Sequence, residues 1–162
     1  MQAVVRAVAL RLRAAGVPWR LAGSAALLVR GLPARPADID IEVATADAAA
    51  AARALGLPAP AREAGGGWSS ERAQGHVAGV GIDLSGGLVV TGPGGTMRAM
   101  DAPVEEHDGI PLLPIGESLA RAMVAGSDAR RAKAIAALPD DPAARARAIA
   151  YAESRAAASA AR

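Results

Sequence analysis

Val4, Val5, Val8 and Leu12 recur at helical spacing between Gln2 and Ala15, with Arg6 and Arg13 on other faces. This predicts an amphipathic first helix, stopped by Gly16 and Pro18. Trp19 to Ala22 reads as a short buried strand, followed by a Gly23-Ser24 turn and a helix over Ala25 to Arg30 that Gly31 and Pro33 close. The period then changes to two. Ile39, Ile41 and Val43 alternate with Asp38, Asp40 and Glu42, which predicts a half-buried strand with three carboxylates on one face. Thr45 or Asp47 caps an alanine-rich helix that runs to Leu55 and ends at Gly56, and residues 57–67 read as loop.

From Trp68 to about Met100 the chain is rich in glycine and β-branched residues. Strands are expected at Val77 to Leu84, Leu88 to Thr91 and Thr96 to Met100, antiparallel and joined by Gly86-Gly87 and by Gly92 to Gly95. Beyond Pro114 the pattern turns helical: Glu117 to Ala125, Asp128 to Leu138, and a last helix from Pro142 with Asp140 or Asp141 as its cap. The low-complexity stretch Ala156 to Arg162 is expected to fray. The fold class is therefore α/β (α+β), a short mixed or antiparallel sheet flanked by helices and followed by a helical C-terminal segment. A single domain is expected over 1–162, with an α/β core at 1–113 and the helical segment at 114–162.

Composition narrows the chemistry. Alanine supplies 44 of the 162 residues, and Lys133 stands alone against 17 arginines, as in a GC-rich genome. Without cysteine there is no disulfide, no thiolate nucleophile and no cysteine-based zinc or iron–sulfur site. A metal would need oxygen ligands, or His76 and His107, which lack partners at ligand spacing and read as surface residues. No apolar run approaches the ~20 residues of a membrane span, and the start lacks a signal-peptide pattern, so a soluble cytoplasmic protein is expected.

The net charge of +2 is unevenly placed. Residues 1–37 hold six arginines and no acid, residues 38–120 hold twelve acids against four arginines, and residues 121–162 hold eight bases against four acids. An acidic middle between basic ends suits a metal together with a polyanion such as a nucleoside triphosphate or RNA, although most of these arginines read as solvated helix faces. With two tryptophans and one tyrosine, the chain lacks the interleaved aromatics of a single-strand nucleic-acid binder. Trp19 and Trp68 accordingly read as core or cleft-wall residues rather than stacking platforms. The glycine runs at 65–67 and 92–95 lack the Lys and Ser/Thr of a phosphate-binding P-loop.

The informative segment is Leu21-Ala22-Gly23-Ser24, thirteen intervening residues, then Asp38-Ile39-Asp40-Ile41. Two carboxylates one residue apart on a strand point the same way, with Cα atoms roughly 6.5 to 7 Å apart, near enough to share one divalent ion or bridge two. A Gly-Ser turn opening a helix offers backbone N–H groups and a hydroxyl to a phosphate. Gly23, Ser24, Asp38 and Asp40 together resemble the signature of the nucleotidyltransferase superfamily related to DNA polymerase beta. Gly31 and Arg35-Pro36 add a likeness to the small bacterial branch of AbiEii-type toxins and antibiotic nucleotidyltransferases.

That resemblance implies a nucleotidyltransferase fold and a third carboxylate on a later strand. Asp83 is the candidate, in competition with Asp101, Glu105 and Asp108. In Val80-Gly81-Ile82-Asp83-Leu84 the apolar residues share one side, leaving Gly79, Gly81 and Asp83 on a side cleared for substrate. It further implies Mg²⁺ at Asp38, Asp40 and Asp83 as a two-ion site, with Mn²⁺ as a substitute. Gly23, Ser24, Arg35 and Lys133 would contact phosphate, and Glu42 would face solvent. The reaction would move a nucleoside monophosphate to an acceptor hydroxyl on tRNA, a protein or a small molecule, and an antitoxin partner would accompany the toxin branch. One departure stands against that branch: the helix Asp128-Ala129-Arg130-Arg131-Ala132-Lys133-Ala134 has alanine where many of its members carry an acid after a basic residue. The alternative is a non-catalytic protein of this fold that binds nucleotide, a partner protein or RNA.

Overall fold

The computed structural model describes residues 1–161. Strands β1 (Trp19–Leu21), β2 (Asp38–Val43), β3 (Ala61–Gly65), β4 (Trp68–Val77), β5 (Val80–Gly92), β6 (Gly95–Arg98), β7 (Glu105–His107) and β8 (Ile110–Leu112) form one sheet. Its order is β3-β4-β5-β2-β1-β8-β7, with β6 paired to β5. The pairs β2–β5 and β1–β8 are parallel and the others antiparallel, so the sheet is mixed.

Helices α1 (Gln2–Ala14) and α3 (Ala48–Leu55) contribute their apolar faces to the main core. There Val5, Val8 and Leu12 meet Leu21, Ile39, Ile41, Val43, Ile82 and Leu84, all at most 2% exposed. The period of two in β2 thus seats its isoleucines and valine in the core and turns its acids to the opposite face. The short helix α2 (Gly23–Val29) joins β1 to the loop before β2.

Three hairpins turn through two residues of positive φ, the geometry that matches the right-handed twist of paired strands. These are Gly66-Gly67, Ala78-Gly79 and Asp108-Gly109. The first corrects the expected loop at 57–67, because residues 61–65 are a strand. The second divides the strand expected at Val77 to Leu84, and the third forms a β7–β8 hairpin that the sequence pattern did not disclose. Gly86-Gly87 is not a turn: β5 runs straight through it. The ladder to β4 shifts register there, and Gly87 takes φ +61° under Thr45, where any Cβ would lie 1.9 Å from the threonine hydroxyl. The glycine pair is a bulge that lets the strand pass beneath the chain entering α3.

Helices α4 (Glu117–Ala125), α5 (Asp128–Ala136) and α6 (Pro142–Ala160) pack on Val90 and Met97 through Leu119, Val124, Ala134 and Ala152, forming a second buried cluster that Leu138 of the α5–α6 loop joins. Ser127 and Asp141 cap α5 and α6 by accepting from the backbone N–H of Arg130 and Ala144 at 3.4 and 2.7 Å. The stretch expected to fray continues as helix to Ala160 and buries Ser159; Arg162 lies outside the described residues. Among the described residues, no helix is long and apolar enough to cross a membrane.

Candidate active site

The acidic face of β2 opens on a cavity of about 560 Å³ bounded by α2, the ends of β4 and β5, and α4 and α5. Asp38, Asp40, Gly23, Ser24 and Lys133 line it, as do Arg30, Trp68, Ser118, Arg121 and Arg130. A smaller recess of about 240 Å³ adjoins it and shares Gly23, Asp40 and Arg121, adding Glu42 and Asp83. Asp40 is the residue common to both that carries an acid toward each.

The approach of α2 to β2 explains the glycine. Ala22 donates its backbone N–H to the Asp40 carbonyl at 2.9 Å, which draws the start of α2 against the strand. A Cβ on Gly23 would lie 1.9 Å from Asp40 Oδ2, and the residue has φ +62°. Only glycine meets both demands without displacing the carboxylate. The spacing Gly23 to Asp40 is therefore a packing requirement, with Ser24 beside it in the cavity wall.

The parallel register sets Asp40 directly against Asp83 and Asp38 against Gly81. Asp38, Asp40 and Asp83 thus emerge on one face, and their charges act on one another. Burial, then the charges of Asp38 and Asp83, push the Asp40 carboxyl up to about 6. No side-chain donor among the described residues meets it. Asp83 is differently placed. Arg72 of β4 grips it with two parallel bonds, Nε to Oδ1 at 2.8 Å and a second nitrogen to Oδ2, and Gln74 donates at 3.4 Å. Side chains of β4 therefore occupy the side of β5 expected to be cleared for substrate.

Among the described residues, no three acids or histidines converge in a metal-holding group. Asp38 and Asp40 fit a divalent cation as a pair of hard oxygen donors with unmet negative charge. Asp83, the expected third ligand, has both carboxylate oxygens bonded to Arg72. Arg35 is exposed in the α2–β2 loop and lines neither cavity. Of the competing acids, Glu105 pairs with Arg30 at 2.5 Å and Asp108 sits in the β7–β8 turn. His76 and His107 lie on β4 and β7, away from both cavities.

Glu42 corrects the expectation of a solvent-facing acid. It is 4% exposed, and Arg121 binds both its oxygens at 2.5 and 3.0 Å. The same guanidinium donates to Glu117 at 3.1 Å, and Glu117 accepts from Tyr151 at 2.7 Å. This buried network ties β2, two residues from Asp40, to α4 and α6. Arg121 was missed by sequence reasoning, whereas Trp68 lines the cavity, as one of its two expected places, core or cleft wall, would have it. An arginine four residues after a glutamate in an otherwise apolar helix was the available signal for Arg121.

Neither protein-family models nor curated proteins match the chain. Among solved structures, the fold matches a presumed nucleotidyltransferase from Thermotoga maritima with a TM-score of 0.60 and 21% sequence identity, over 69% of this chain and 76% of that one. The fold is nucleotidyltransferase-like. In this nucleotidyltransferase-like frame, the acidic strand, the glycine against it and the cavity they border form the candidate active site.

Proposed function

We propose that the chain transfers a nucleoside monophosphate from a nucleoside triphosphate to an acceptor hydroxyl, with divalent-metal assistance at Asp38 and Asp40. The observation that carries this reading is the fit of Gly23 against Asp40, which brings Ser24 and two carboxylates to one cavity. A Mg²⁺ ion held by Asp38 and Asp40 would supply charge neutralisation on the triphosphate. Ser24 offers a hydroxyl donor to phosphate oxygens, and Arg130 and Lys133 bring positive charge to the same cavity. The acceptor oxygen forms a bond to the α-phosphorus as the α–β bridging bond breaks. Pyrophosphate leaves with the electron pair, and the hydroxyl proton is lost to the medium.

A second reading draws on Asp83. Held by Arg72, it reaches the smaller recess beside Asp40 already paired with a cation, which favours a protein that binds nucleotide without turnover. The two readings separate on incubation with each α-labelled nucleoside triphosphate, Mg²⁺ and candidate acceptors. Transfer that Asp40→Asn abolishes supports the first; equal transfer by that variant overturns the mechanism. Calorimetric binding of nucleotide without transfer supports the second.

The finer placement is the AbiEii-type branch, supported by Gly31 and Arg35-Pro36, with a tRNA, protein or small-molecule acceptor and an antitoxin partner. An antitoxin-like reading frame beside the gene would support it, and a genomic setting without one would count against it.

A further inference from the structure

Trp68 stands at the end of the β3–β4 hairpin, immediately after the Gly66-Gly67 turn, and lines the main cavity. Its surroundings are built rather than incidental. The Arg72 guanidinium lies over the indole, 5.6 Å from the ring centroid, within the range of a cation–π contact. Arg72 is itself fixed, by its paired bonds to Asp83 and by an ion pair with Glu63 at 3.2 Å. The ring is thus positioned by a side chain anchored on the strand next to Asp40. On its hairpin side Trp68 pairs with Gly65, and a Cβ on Gly66 would meet the Arg130 guanidinium at 3.9 Å and the indole at 4.0 Å.

Besides the polar and acidic lining of Asp38, Asp40 and Ser24, the cavity that Trp68 borders carries apolar lining from Leu88, Val90 and Ile115. A ligand matching both kinds of lining has a planar, weakly polar ring and a metal-bound polyanion. We propose that Trp68 is the stacking platform for the nucleobase, held ready by Arg72; this rests on the nucleotide reading above and specifies which residue takes the base. It reverses the expectation that Trp68 is a plain wall residue. A platform fixed before the ligand arrives loses little side-chain freedom on binding, and stacking on an aromatic face accepts any base.

The test titrates wild type, Trp68→Ala and Trp68→Phe, in the presence of Mg²⁺, with each of the four ribonucleoside triphosphates and with inorganic tripolyphosphate, which has no ring. Calorimetry should show nucleotide affinity falling roughly ten- to a hundred-fold in Trp68→Ala, largely restored in Trp68→Phe, with tripolyphosphate affinity unchanged throughout. The nucleotide-induced change in tryptophan emission should vanish in Trp68→Phe, which keeps Trp19, and tripolyphosphate should cause none in wild type. Equal weakening of both ligand types in Trp68→Ala, or nucleotide affinity indifferent to the substitution, overturns the platform and leaves the nucleotide reading standing. A wild type that binds none of the four nucleotides overturns both.

Discussion

Asp40→Asn isolates the electrostatic state of the cleft. In the folded protein the carboxyl is pushed from 3.8 up to about 6, first by burial and then by the charges of Asp38 and Asp83. A raised carboxyl means that the ionised form opposes folding. The opposition is absent below about pH 4, where both folded and unfolded chains are protonated. It grows as pH rises toward 6 and is fully present above. At about 1.4 kcal/mol per pH unit the shift corresponds to at most about 3 kcal/mol, and partial solvent access lowers the expected value to about 1–2 kcal/mol. Asparagine keeps the shape and removes the charge. The variant should therefore be more stable than wild type by that amount at pH 7.5 in metal-free buffer, with the difference shrinking toward zero near pH 4. Urea unfolding across this range, with unchanged m-values, measures it. A variant no more stable at pH 7.5, or a gain that does not vary with pH, would refute the reasoning. Mg²⁺ should then stabilise wild type and leave the variant unmoved, since the cation binds the folded state through the charge that asparagine lacks.

Other expectations follow from the same contacts. Gly23→Ala places a methyl on Asp40 Oδ2 at a positive φ, so it should cost about 1–2 kcal/mol in denaturation and reduce transfer activity by much more than that stability loss explains. Arg121→Met leaves Glu42 buried without its cation and Glu117 with Arg155 alone at 3.5 Å, and should cost about 3–5 kcal/mol, with Arg121→Lys restoring only part because one ammonium cannot span both carboxylates; equal stability of all three proteins would exclude the network. Tyr151→Phe removes one donor to Glu117 and should lower stability by about 1–2 kcal/mol, read from the midpoint of unfolding. Arg72→Gln releases Asp83, so the Mn²⁺ stoichiometry measured by calorimetry should rise above that of wild type; an unchanged stoichiometry would show that Asp83 is turned from the cation for another reason.

What the chain discloses locally and what it does not divides along physical lines. The alternation from Asp38 to Val43 is a property of consecutive residues, and it correctly assigned the strand and its buried isoleucines. The same alternation could not separate Glu42 from Asp38 and Asp40, because its burial depends on Arg121, which is 79 residues away. Gly86-Gly87 read as a turn because paired glycines serve hairpin turns and bulges alike, and only the packing of Thr45 and Ala48 over β5 distinguishes them. Asp83 was found on its strand by period. Its capture by Arg72 follows from the register of β4 on β5, fixed by the tight Ala78-Gly79 turn. Arg35, placed among phosphate contacts by motif alone, lies in an exposed loop outside both cavities.

The central claim concerns which phosphorus is attacked, and one measurement addresses it directly. Parallel reactions with Mg²⁺ and the same nucleoside triphosphate, labelled at either the α- or the γ-phosphorus, follow the two ends of the triphosphate. The account predicts that the α label passes to the acceptor while the γ label leaves as pyrophosphate, and that neither moves with Asp40→Asn. Transfer of the γ label to the acceptor, or transfer of the α label by the Asn variant at the wild-type rate, would contradict it.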